Sequence, residues 1–222
     1  MKKILTAFFT LILISIGTIA LFGEQLLTKG VSRFANERMA GKTLNDLPDG
    51  LHVFLCGAGS PMPDPKRSGP CNIVIAGEWV IVVDTGSGAV KNFGLMGIPV
   101  GRVDDLLLTH FHSDHIDGVG ELATIRWAAG HHNTPLPVHG PIGVEKIVAG
   151  FNMAYSQDFV YRVAHHGEAT VQPGGAGLTA RPFTVPAAGQ SITVLEDDDL
   201  KVTAFSVGHF PIDPAVGYRF DY

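Results

Sequence analysis

Thr109-His110-Phe111-His112-Ser113-Asp114-His115-Ile116-Asp117-Gly118 is the stretch from which the rest of the chain is best read. Three imidazoles and one carboxylate fall within six residues, directly after the apolar run Leu106-Leu107-Leu108. Residues two apart on an extended segment point the same way, so His110 and His112 can grip one ion together. Ser113 and Asp114 tolerate a turn, and that turn aims Asp114 and His115 at a neighbouring position. Imidazole nitrogen with one carboxylate suits zinc, is compatible with iron or manganese, and argues against calcium. A lone histidine at a strand end would be read as solvated surface, whereas this packed set is read as a metal site.

Working outward, residues 103–109 read as a buried strand, because three consecutive leucines cannot sit half-exposed. Before it, LHVFLCG, NIVIAG and VIVVD are short β-rich runs, the last two joined into a hairpin through Gly77-Glu78-Trp79. Residues 86–98 carry small and apolar side chains at near-helical spacing. Helices are expected at 118–129 and, with Pro141 near a first helical position, at 142–155. The Pro- and Gly-rich segment 171–189 reads as loop, and strands resume at SITVLE, LKVTAFSV and AVGYRF. Strands, then helices, then strands suggest sheet layers covered by helices instead of an alternating β-α pattern. The acidic run Glu196 to Asp199 reads as a solvated hairpin turn.

The remainder of the 222 residues sets the bounds. A composition 45% hydrophobic and 17% charged excludes disorder and fits one core. Residues 1–23 (MKKILTAFFTLILISIGTIALFG) hold two lysines and then an uncharged run, the pattern of a signal peptide or an N-terminal membrane anchor. Both readings stand, and both imply export, to the periplasm or outside the cell, or anchoring through residues 4–23. Residues 24–50 read as a polar connector and 51–222 as the folded domain. Net charge is −5, and without Lys2 and Lys3 the body has 14 basic against 21 acidic residues. Such a body has no global attraction for nucleic acid, which is not expected as a partner, nor for an anionic surface. Two cysteines exclude a disulfide scaffold and a Cys-rich zinc module. Cys56 and Cys71 either pair in an oxidising compartment or stay as separate buried thiols.

The His110-x-His112-x-Asp114-His115 run resembles the signature of the metallo-β-lactamase superfamily. Asp84, in Val83-Asp84-Thr85-Gly86, resembles that family's earlier aspartate motif, where the carboxylate supports the metal loop and fixes ligand orientation. Gly57-Ala58-Gly59-Ser60-Pro61 is similar to the Gly-rich opening of the ribonuclease Z and arylsulfatase-like branch. Gly208-His209-Phe210, followed by Pro214-Ala215-Val216-Gly217-Tyr218-Arg219-Phe220, looks like that branch's next metal motif.

The resemblance implies an α/β (α+β) fold, the αββα metallo-β-lactamase sandwich. It places His209 with His110 and His112 on a first zinc, and Asp114 with His115 on a second. The implied reaction is hydrolysis of a small-molecule ester-type substrate, a phosphodiester or sulfate ester, by a hydroxide held between the ions. Asp114 would help to orient that nucleophile. A lactonase or β-lactamase activity is open on the same motif. The branch also places a bridging Asp and a last His beyond the Gly-Tyr strand, whereas this sequence ends at Tyr222. The expectation is therefore a domain with an incomplete second half, one or two ions, and either residual catalysis or a non-catalytic metal-binding remnant. His131, His132, His139, His165 and His166 read as loop or surface histidines. Lys66 and Arg67 are candidate anion contacts or plain surface. Tyr218 is a packing residue or a substrate contact.

Overall fold

The computed structural model describes residues 42–62 and 64–222. The expected leader at 1–23 and most of the connector lie outside the described residues. Among the described residues, no helix is long and apolar enough to cross a membrane.

A short helix α1 (Lys42–Asp46) leads into β1 (Leu51–Gly57), β2 (Cys71–Ala76) and β3 (Trp79–Val83). These three strands form an antiparallel meander. Ala76 pairs with Trp79 across a two-residue turn in which Gly77 takes a φ of +54°, the conformation such hairpins require. After α2 (Val90–Met96), β4 (Asp105–Leu107) joins β3 in parallel. A short helix α3 (Ser113–Ile116) and the helix α4 (Val119–Gly130) follow. They lead to β5 (Leu136–Pro141), α5 (Val144–His166) and β6 (Leu178–Phe183). The six strands make one sheet in sequence order. A second, antiparallel sheet holds β7 (Ser191–Glu196), β8 (Lys201–Ser206) and β9 (Val216–Asp221).

Strand periodicity explains the layering. Val80, Val82, Leu106 and Leu108 point into the core under the helices, with Phe93, Leu122 and Val144. Ile81, Val83 and Leu107 point the other way, onto Leu200 and Val202 of the second sheet. The central strands bury both faces, which is why their sequences are nearly uninterrupted Val, Ile and Leu. The Glu196–Asp199 run does turn β7 into β8, with the Asp197 N–H bonded to the Leu200 carbonyl at 2.9 Å.

Several expectations need correction. The segment 171–189 is not all loop, because β6 lies within it as the outer neighbour of β5. An edge strand can be polar and carry a proline, so LTARPF has no apolar alternation to betray it. β5 is a strand despite Pro137 and Pro141, enclosed between β4 and β6 with Leu136 and Val138 buried. With β5 and β6 present, the segment from β4 to β6 is an alternating β-α-β-α-β unit with parallel strands, the pattern the sequence had argued against. Pro141 closes β5 and does not open the following helix. That helix starts at Val144, after Gly143 at φ +112°, and continues to His166. His139 is no loop residue either; it is buried on β5, with Nε2 2.7 Å from Asp105 Oδ1.

Cys56 and Cys71 are disulfide-bonded across β1 and β2, with Cα atoms 5.0 Å apart. The bond closes a 15-residue separation at the base of the loop that carries Lys66 and Arg67. Cys56→Ala with Cys71→Ala is expected to lower unfolding free energy by about 3 kcal/mol, the chain-entropy value for such a loop. Urea unfolding of the variant and of the reduced wild type should show the same drop. Unchanged midpoints would deny the bond any stabilising part.

Candidate metal centre

The site lies at the C-terminal end of β4. Leu108 is the last core residue, and from Thr109 the chain leaves the sheet and turns into α3. His110, His112 and His209 converge there, each offering one ring nitrogen, with those atoms all within 4.8 Å of one another. His110 Nε2 and His112 Nδ1 are 3.1 Å apart. Ligand bonds of about 2.0–2.1 Å in a tetrahedron place two nitrogens roughly 3.4 Å apart, so this trio fits a zinc-sized ion. His209 arrives from the β8–β9 connection, whose end is tied to the site where the Val216 N–H bonds the Thr109 carbonyl at 3.0 Å.

Asp84 organises the centre from beneath. Its Oδ1 accepts the Thr109 N–H at 2.9 Å, and its Oδ2 accepts the Thr109 hydroxyl at 2.8 Å. Oδ2 also lies 2.8 Å from His115 Nδ1. A carboxylate only accepts, so His115 carries a proton on Nδ1, and Nε2 is the nitrogen left for a ligand role. The same logic passes through Thr109. Its one hydroxyl proton goes to Asp84, so its oxygen accepts from His110 Nδ1 at 3.0 Å, leaving His110 Nε2 bare toward the trio. Asp84 thus sets the tautomer of His115 directly and of His110 through Thr109. It does so from φ +57°, a left-handed conformation that Asp tolerates better than most residues.

Asp114 is buried, and its Oδ2 lies 3.9 Å from His115 Nε2. The His115 ring centroid is 4.1 Å from that of His110. The pair therefore flanks the trio without completing a three-ligand group of its own among the described residues. The backbone around Asp114 is packed too closely for side chains. A Cβ on Gly86 would meet the Asp114 carbonyl oxygen at 2.0 Å, and one on Gly69 would meet it at 2.8 Å.

Burial, reinforced by the neighbouring His115, His112 and His209, pushes the His110 pKa down to about 4 against the opposing charge of Asp84. His110 is therefore neutral at pH 7, the form that binds a metal. At His115 burial also disfavours charge, but the hydrogen bond and charge of Asp84, with the charge of Asp114, outweigh it and the pKa ends raised.

The other candidates fall outside this cluster. The Tyr218 hydroxyl donates to the Leu108 carbonyl at 2.7 Å and is largely buried, so it is a packing residue that braces β4. His131 bonds the Thr170 carbonyl and His132 the Gly101 carbonyl. His165 and His166 end α5 in solvent. Lys66 and Arg67 are exposed, with Arg67 3.8 Å from Asp64. Sequence reasoning gave no role to Thr109. The only available signal was a hydroxyl residue directly ahead of the paired histidines.

A layered α/β fold with three histidines gathered at a strand end defines a protein built to hold a metal ion there. The family model described as the metallo-beta-lactamase superfamily matches residues 65–209, and the chain belongs to that superfamily. The chain is 35% identical over 174 residues to ribonuclease Z of Mycobacterium avium (strain 104), covering 78% of this chain and 59% of the relative. It is 33% identical over 174 residues to ribonuclease Z of Mycolicibacterium gilvum (strain PYR-GCK), covering 78% and 58%. The chain therefore spans about three fifths of the length of these curated relatives. The solved structure of human tRNase Z, short form, is similar with a TM-score of 0.55 at 20% identity, over 76% of this chain and 64% of that one. That likeness is one of fold.

These relatives overturn the expectation that nucleic acid is no partner, since they carry the name of an RNA-cleaving enzyme. The error was physical. A net charge of −5 governs long-range attraction, whereas recognition at a metal centre depends on local contacts.

Proposed function

We propose that this chain is a zinc-dependent phosphodiesterase whose substrate class is RNA. The convergence of His110, His112 and His209 carries the reading, and the ribonuclease Z relatives supply the substrate class. Three imidazole ligands suit zinc. A bound ion there would lower the pKa of water and offset negative charge developing on phosphoryl oxygens. His110, His112 and His209 would hold the ion, and Asp114 and His115 would be offered to a second. Asp114 is the catalytic carboxylate, buried beside the trio where it can accept a hydrogen bond from the attacking water and orient it. Asp84 and Thr109 keep the imidazoles in their binding tautomers.

The paired cysteines favour an oxidising compartment and so support export by residues 1–23. The RNA would then be met outside the cytosol.

Metal analysis with a cleavage assay tests the reading. The purified chain should bind at least one zinc, cleave an oligoribonucleotide, lose cleavage on treatment with EDTA and regain it with zinc. Zinc binding without cleavage would favour the non-catalytic remnant. No zinc at all would defeat both.

A further inference from the structure

The β8–β9 connection carries a residue that neither the metal centre nor the core accounts for. Phe210 follows His209 directly and is 99% exposed, the most exposed large hydrophobic side chain among the described residues. Single exposed apolar residues are ordinary on a protein surface. A phenylalanine ring wholly in water on a fixed turn directly after one of three converging imidazoles is a different case.

The turn is fixed at both ends. The Val207 N–H bonds the Ala215 carbonyl at 3.1 Å and closes the connection at its base. The Ile212 N–H bonds the His209 carbonyl at 2.8 Å, making Phe210 and Pro211 the two central residues of a four-residue turn. Pro211 and Pro214 each restrict the backbone further. The connection is then tied to Thr109, the residue before His110, through the Val216 N–H. The backbone that carries the ring is thus anchored next to His209, and among the described residues the ring lies open to solvent.

Charge narrows what such a ring is for. With a net charge of −5 the chain offers phosphates no long-range attraction, so uncharged contacts carry a larger share of the affinity for a nucleotide chain than in a basic protein. Base stacking on an aromatic face is the uncharged contact that every nucleobase can make, and it is sequence-tolerant. We propose that Phe210 is the base-stacking platform of this site, seating an unpaired nucleobase next to the phosphodiester presented to His110, His112 and His209. The inference rests on the RNA reading above and adds that the substrate at this point is single-stranded and held by its base.

The test measures binding by the full chain after removal of metal, so that nothing is cleaved. Two fluorescent probes are used: a short single-stranded oligouridylate, and a ribose-phosphate oligomer of equal length without bases. Phe210→Ala should weaken oligouridylate binding by about 5- to 150-fold, the range for loss of one stacked base. Phe210→Trp should bind as well as wild type or better, and Phe210→Leu should behave like Ala, since a leucine retains apolar area but no π-face. The abasic probe should bind weakly and alike to wild type and Phe210→Ala. With zinc restored, the loss in Phe210→Ala should fall on KM for RNA more than on kcat.

Oligouridylate binding within twofold of wild type in Phe210→Ala would overturn the stacking role and leave the RNA reading in place. So would an equal loss for the abasic probe, which would mean a distorted turn. Wild type that binds neither probe would overturn the RNA reading and the platform with it.

Discussion

His110→Ala is expected to abolish zinc binding at the three-histidine position and to lower RNA cleavage by more than about 100-fold. Removing a group that merely supports a metal ligand already costs about 10–100-fold in affinity or activity, and His110 is itself offered as a ligand. It is also the most central of the imidazoles, with ring centroids 4.1 Å from His115, 4.9 Å from His112 and 4.8 Å from His209. Two histidines remain in the variant, too few for a zinc site that ordinarily uses three protein ligands. Elemental analysis after dialysis checks the metal, and circular dichroism checks that the fold survives. Full zinc occupancy in the folded variant would show that the ion sits elsewhere.

Asp84→Asn should weaken zinc binding by about 10–100-fold although it removes no proposed ligand. The carboxylate accepts three hydrogen bonds, from the Thr109 backbone, the Thr109 hydroxyl and His115 Nδ1. An amide of the same shape has one acceptor oxygen and one donor nitrogen, so at least one of these bonds faces a donor against a donor. With the amide nitrogen at the Oδ2 position, His115 loses the hydrogen bond and the charge that raise its pKa, and the Thr109 hydroxyl loses the acceptor that directs it away from His110. Loss of one charge-assisted bond should also lower the stability of the metal-free chain by about 1.5–3 kcal/mol. Asparagine tolerates the left-handed backbone, so the effect reports on the carboxylate and not on strain. Asp84→Ala adds a backbone cost of roughly 1–2 kcal/mol and should be less stable still. A zinc titration followed by calorimetry, together with urea unfolding, separates the two effects. Affinity equal to wild type in Asp84→Asn would remove Asp84 from the support of the centre.

Much of this protein was legible from local pattern. Paired histidines two apart, a carboxylate and a third imidazole after a leucine run signal a metal site without reference to any distant residue. The doubly buried strands β2, β3 and β4 announce themselves because both of their faces meet apolar layers. The hairpin at Gly77 and the acidic turn after β7 are likewise local, set by residues that tolerate turns. What only the tertiary structure decided depends on partners far along the chain. β5 and β6 are strands because neighbouring strands enclose or pair with them, a tertiary effect that outweighs prolines and a polar sequence. His139 leaves the surface because β5 does. The choice between paired and separate cysteines was settled by the approach of β1 to β2. The role of Thr109 as the link from Asp84 to His110 arises where the end of β3 lies beside the end of β4, and the seating of His209 requires the second sheet to return its connection to that same end. The sequence by itself determined which side chains could bind a metal, because ligand chemistry belongs to residue type. The tertiary structure decided which nitrogen each histidine presents and what stands beside it, because tautomer and neighbourhood are fixed by hydrogen bonds between segments that meet only when the sheets are built.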